Sequence, residues 1–133
     1  MKILFMILLS AAASVADAQQ ASLVVHIDQL KSNTGVVYVT LKDSARNIVG
    51  EKKVAVADQR AEATFDELVP GEYAVRVYHD ENNNGKLDRA VLGIRKESWG
   101  TSNDSKHSFG PARYKNMLFK VQGDEKITIS VRN

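Results

Sequence analysis

The sequence predicts an all-β fold: a two-sheet antiparallel β-sandwich of about seven strands. Three observations carry that prediction. Apolar and polar residues alternate with period two in short runs. Turn chemistry rich in Gly, Asn, Asp and Pro separates those runs. Beyond residue 18, no stretch keeps the 3.6-residue period of an amphipathic helix.

Residues 1–18 stand apart from the fold. Lys2 gives a positive start, Ile3 to Leu9 an apolar run, and Ala16-Asp17-Ala18 a small-x-small cleavage pattern. This is the signature of a signal peptide removed before Gln19. A spanning helix needs ~20 apolar residues, whereas Ser10, Ser14 and Asp17 interrupt this run. The expectation is a single domain over residues 19–133, periplasmic or secreted, with no membrane span after cleavage. A domain of that length buries roughly two-thirds of its unfolded surface. It does so without disulfides, because the chain has no cysteine.

Each strand has its own pattern. Ser22–Gln29 places Leu23, Val25 and Ile27 on one face, with His26 on the more polar side as a surface histidine. Ser32-Asn33-Thr34-Gly35 is a turn. Val36–Leu41 is β-branched, aromatic and apolar on both faces near its centre, so it belongs in the middle of a sheet. Asp43–Asn47 breaks the pattern. Lys53–Ala57 is weaker, and Lys52 and Lys53 suit a sheet edge. Asp58-Gln59 permits only a tight turn. Arg60–Leu68 turns Ala61, Ala63 and Phe65 one way, and Pro70-Gly71 is the next turn. In Glu72–His79, Tyr73, Val75, Val77 and His79 share a side.

Arg89 to Lys115 shows no sustained period, yet Trp99, Phe109 and Tyr114 argue for an excursion packed by its own side chains, with one or two short turns of helix or strand. Met117–Val121 is strand six, Gln122–Glu125 a hairpin loop, and Lys126–Arg132 strand seven with Ile127, Ile129 and Val131 inward.

Charge is nearly balanced, 18 Lys and Arg against 16 Asp and Glu, and spread along the chain. That is a solvated β surface, not a nucleic-acid footprint.

The segment with the most specific spacing is Asp80–Asp88. Counting from Asp80, oxygen-bearing side chains fall at positions one, three, five and nine: Asp80, Asn82, Asn84 and Asp88. Gly85 is sixth, and Lys86, seventh, offers its backbone carbonyl. This is the first half of a calcium loop. Calcium takes six to eight oxygens at about 2.3–2.6 Å, and a glycine lets alternate residues converge on it. Position twelve is Val91, so the closing carboxylate is missing and a further donor such as Glu97 or Asp104 is needed. The matching affinity class is about 10⁻⁴–10⁻³ M. A plain turn fits the segment as well, since Asn84-Gly85 is a strong hairpin dipeptide.

Other sets are weaker. His79 and Asp80, adjacent in a strand, point to opposite faces. Nothing fixes a metal-binding spacing among His79, Asp80 and His107. The serines around His107 lack a nucleophile elbow. Trp99, Phe109 and Tyr114 either roof the core or form a shallow aromatic ligand surface.

An ordered series of motifs spans nearly the whole of residues 19–133. It runs through Phe65-x-x-Leu68-x-Pro70-Gly71-x-Tyr73-Ala74-Val75 and Tyr78-His79-Asp80-Glu81-Asn82-x-Asn84-Gly85-Lys86-Leu87-Asp88. It continues with Leu92-Gly93-Ile94-x-Lys96-Glu97-x-x-Gly100-x-Ser102-Asn103 and Phe109-Gly110-Pro111. The series resembles the bacterial family called domain of unknown function 2141. Arg95 and Ala112 stand where that pattern has proline. The resemblance implies a small exported all-β domain, similar to immunoglobulin-like or transthyretin-like sandwiches, and brings no activity with it.

The functional expectation is a non-enzymatic binding or structural module of the cell envelope. Its partner is an envelope protein, glycan or peptide, not nucleic acid, and calcium is its only candidate cofactor. The alternative is a small periplasmic hydrolase working from the 79–115 end, with His79, Asp80, Glu97 or His107 in acid–base roles.

Overall fold

Eight strands run through the computed structural model, which describes residues 20–83, 98–104 and 113–132. They are β1 (Ala21–Asp28), β2 (Val36–Asp43), β3 (Ile48–Ala55), β4 (Ala61–Leu68), β5 (Gly71–Asp80), β6 (Trp99–Thr101), β7 (Phe119–Val121) and β8 (Asp124–Ser130). A 3₁₀ turn at Ser102–Asp104 and a one-turn helix, α1 (Tyr114–Met117), are the helical segments among the described residues.

The strands form two sheets. One has the order β4-β1-β8; the other runs β3-β2-β5-β6, with β7 also paired to β5. Period two sets the inward faces. Leu23, Val25, Ile27, Ala63, Phe65 and Ile129 from the first sheet meet Val37, Val39, Leu41, Val75 and Val77 from the second in one buried core. As its apolar centre predicts, β2 lies between β3 and β5. β3 is the expected edge. Its Lys52 ammonium lies over the Phe65 ring at 5.9 Å, a charge at the rim of the inner face that discourages pairing with another chain.

Several expectations need correction. β1 and β8 pair in parallel, from Ser22↔Asp124 to Asp28↔Ser130, so the first sheet is mixed. The Gln122–Glu125 segment is therefore no hairpin: it carries the chain from β7, which pairs with β5, to β8, which pairs with β1. Turn residues mark a change of direction but do not name the next partner. β3 begins at Ile48, because its ladder with β2 continues through an irregularity between Leu41 and Lys42. Met117 closes α1 and is not in a strand, and its side chain is buried. The eighth strand is β6, which falls within the excursion.

Other turns follow the expected chemistry. Asp58 and Gln59 both take positive φ, 52° and 58°, and Ala57 and Arg60 exchange backbone hydrogen bonds across them. That is the twist-matched two-residue hairpin loop. Past β8, Arg132 exchanges two backbone hydrogen bonds with Trp99, of 2.9 and 2.8 Å. The end of the chain thereby ties the first sheet to β6 of the second.

Candidate functional site

The C-terminal end of β5 is built into the fold. His79 pairs in register with Val37 and Asp80 with Val36. Both residues are fully buried. His79 Nε2 lies 2.6 Å from the Thr34 carbonyl oxygen. A carbonyl can only accept, so Nε2 carries the proton and Nδ1 is left to face Glu81, whose Oε1 is 3.6 Å away. Gly35, at φ 73°, packs so tightly that an added Cβ would lie 1.9 Å from the Asp80 carbonyl oxygen. The Thr34-Gly35 turn and the end of β5 are thus fitted to each other. Asp80 then opens a turn in which its carbonyl accepts the Asn83 N–H at 3.3 Å.

Of the calcium-loop residues, Asp80 is buried and Asn82 exposed on this turn. Asn84, Lys86 and Asp88 lie outside the described residues, as do Glu97, His107 and Phe109. Asp104 ties the 3₁₀ turn to β8: its Oδ1 accepts the Ser130 N–H at 3.0 Å, and its carbonyl accepts from Arg132 at 3.1 Å. Among the described residues, no group of three or more His, Asp or Glu converges as a metal site. His26, across the β1–β4 ladder from Glu62, is the surface histidine the pattern predicts.

Trp99 and Tyr114 do not share a surface. Tyr114 hydroxyl donates to the Asp43 carbonyl at the end of β2, and Arg46 lies over its ring at 4.7 Å. Burial raises the Tyr114 phenol pKa, with the Asp43 charge adding to the rise. Trp99 stands in register with Tyr78, which faces Tyr38 on β2. Tyr38 and Asp43 are five residues apart on β2, which at the strand rise separates these two places by roughly 17 Å.

Sequence reasoning missed what Trp99 does join. On the outer face of the second sheet, Lys53, Tyr38, Tyr78, Trp99 and Arg132 occupy successive register positions across β3, β2, β5, β6 and the segment after β8. Tyr38 and Tyr78 stack with centroids 4.8 Å apart. Lys53 caps one end, 5.5 Å from the Tyr38 centroid, and Arg132 the other, 5.1 Å from that of Trp99. Beside this row a trough of about 320 Å³ opens along the sheet, lined by Tyr38, Thr40, Glu51, Lys53 and Tyr78 together with Val39 and Lys52. The signal available in the sequence was the outward parity of Tyr38 and Tyr78 in two strong strands.

Fold and site together define a small all-β protein of two sheets around one core, with an aromatic and charged outer face. The family model for uncharacterized proteins conserved in bacteria, domain of unknown function 2141, matches residues 25–130. The chain belongs to that family. No curated protein and no solved structure matches it.

Proposed function

We propose that the protein is an exported, non-enzymatic binding module of the cell envelope, and that the outer face of its second sheet is the working surface. The observation that carries this reading is the environment of His79. The histidine is fully buried, and its Nε2 is held by the Thr34 carbonyl. It serves the fold, whereas a hydrolase working from the 79–115 end needs its acid–base pair open to substrate. The outer face, by contrast, presents half-buried aromatic rings and charges to solvent.

The architecture we assign is an immunoglobulin-like or transthyretin-like sandwich. Its support is the Tyr73 hydroxyl, which donates to the Val69 carbonyl four residues upstream, across the β4–β5 turn. Tyrosine corners of this kind recur in immunoglobulin-type sandwiches. The 80–88 loop enters the same reading as a low-affinity calcium site, supported by the order of its oxygen-bearing residues.

The test is to express the full chain in a bacterium, release the periplasm by osmotic shock, and determine the N-terminus. The recovered protein is then mixed with isolated cell-envelope sacculi and with chromogenic ester, peptide and glycoside substrates. The expected result is a chain beginning at Gln19 that pellets with the sacculi and turns over nothing. A chain retained in the cytoplasm, or turnover abolished by His79→Gln, contradicts the proposal.

A further inference from the structure

We propose that the trough beside the Lys53–Tyr38–Tyr78 row is a saccharide-binding site for an extended, hydroxyl-rich glycan. The inference rests on the binding-module reading and names the ligand class of its surface.

The argument starts from what the trough offers. Thr40 and Glu51 are directly opposed across the β2–β3 ladder, and so are Tyr38 and Lys53 two residues along, on the same face. The trough therefore carries a carboxylate acceptor, an ammonium donor, an aliphatic hydroxyl and two tyrosine side chains on one flat face. A pair of neighbouring sugar hydroxyls needs such a set, donating to Glu51 while accepting from Lys53. Glu51 lines the trough with two lysines, but the Lys52 ammonium lies over the Phe65 ring, which leaves Glu51 and Lys53 as the charged pair offered to a ligand. A phosphate-rich chain calls for clustered cations instead, and an apolar peptide for an apolar groove.

The stack limits how the rings take part. Tyr38 spends one face on Tyr78 and has the Lys53 ammonium near its ring. Stacked rings standing on a sheet present their edges to a neighbour, so the sugar meets C–H edges and polar groups, not an open ring face. The mutual stacking holds two side chains in place before any ligand arrives, which lowers the ordering cost of binding. The face is shallow and crosses several strands, a shape suited to a chain and not to an enclosed monosaccharide.

The experiment uses the full chain as the cell processes it. It is screened against an array of neutral and acidic oligosaccharides with a polyphosphate control, then titrated calorimetrically with the strongest saccharide. Trp99, the sole tryptophan, reports from the same row by fluorescence. Tyr38→Ala risks the fold, so the decisive variants are Glu51→Gln and Thr40→Val, with Glu72→Gln as a control outside the trough. The expected result is a saccharide titration that shifts Trp99 emission and weakens roughly five- to tenfold in Glu51→Gln. Thr40→Val weakens it less, and Glu72→Gln leaves it unchanged. The assignment is overturned by a folded protein that binds no saccharide, by preference for polyphosphate, or by equal binding in both trough variants. If sacculi are still pelleted in any of those cases, the module reading survives and the glycan site alone is lost.

Discussion

Tyr38 and Tyr78 stand opposite each other across the β2–β5 ladder, their ring planes 10° apart and their centroids 4.8 Å apart. They lie on the solvent side of the sheet, where burial alone explains little of such an arrangement. Stacked aromatic pairs contribute about 0.5–1.5 kcal/mol beyond the area they bury. A double-mutant cycle with Tyr38→Leu and Tyr78→Leu should therefore give a coupling energy of about that size by chemical denaturation. Additive effects would mean that the two rings are neighbours without a stabilising interaction.

Gly35 tests the fit between the β1–β2 turn and the end of β5. Ala at this position adds a Cβ that meets the Asp80 carbonyl at 1.9 Å and must also adopt φ 73°. Overpacking and backbone strain together predict a loss on the order of 3 kcal/mol. His79→Leu leaves the Thr34 carbonyl without its donor and should cost about 1–3 kcal/mol. A Gly35→Ala protein with unchanged melting would show that the turn is not held against β5.

Asp43 gives a pH dependence with a definite sign. Its carboxylate accepts the Asn47 backbone N–H, the Asn47 side-chain amide and the Ala45 N–H. Its pKa is lowered from 3.8, chiefly by the Asn47 backbone hydrogen bond and against a smaller opposing effect of desolvation. A lowered folded pKa means stability that is present above the unfolded value and lost as pH falls through the folded one. The difference in melting temperature between the wild type and Asp43→Ala should be flat from about pH 7 to 5 and shrink below about pH 4. A difference that grows on acidification would reverse the assignment.

The calcium loop is best tested away from buried Asp80. A site in the 10⁻⁴–10⁻³ M class should raise stability by about 1.4 kcal/mol at ten times its dissociation constant. Wild-type protein in millimolar calcium should then melt several degrees higher, with the gain reduced in Asn82→Ala and Asp88→Ala. No shift in the wild type would leave the segment a turn.

Legibility in the sequence followed the range of the physics. Side-chain parity is local, so the inward sets of β1, β4 and β5, including His79, could be read directly. The central place of β2 and the edge character of β3 followed from composition in the same way. Partner choice is not local: nothing in Gln122-Gly123 states that β8 will cross to lie parallel to β1. The candidate surface suffered likewise. Trp99 and Tyr114 are close in sequence but belong to different places, while Lys53, Tyr38, Tyr78, Trp99 and Arg132 are far apart in sequence and become one row through register.

The central claim is that this outer face holds the chain on envelope material. Its most direct test is co-sedimentation of the full, processed chain with isolated sacculi, beside a Glu51→Gln/Lys53→Gln double variant. Both substituted residues are exposed on an edge strand, so the fold should be retained. The account predicts that the wild type pellets and the folded double variant stays in the supernatant. Equal pelleting of the two, or of neither, would contradict it.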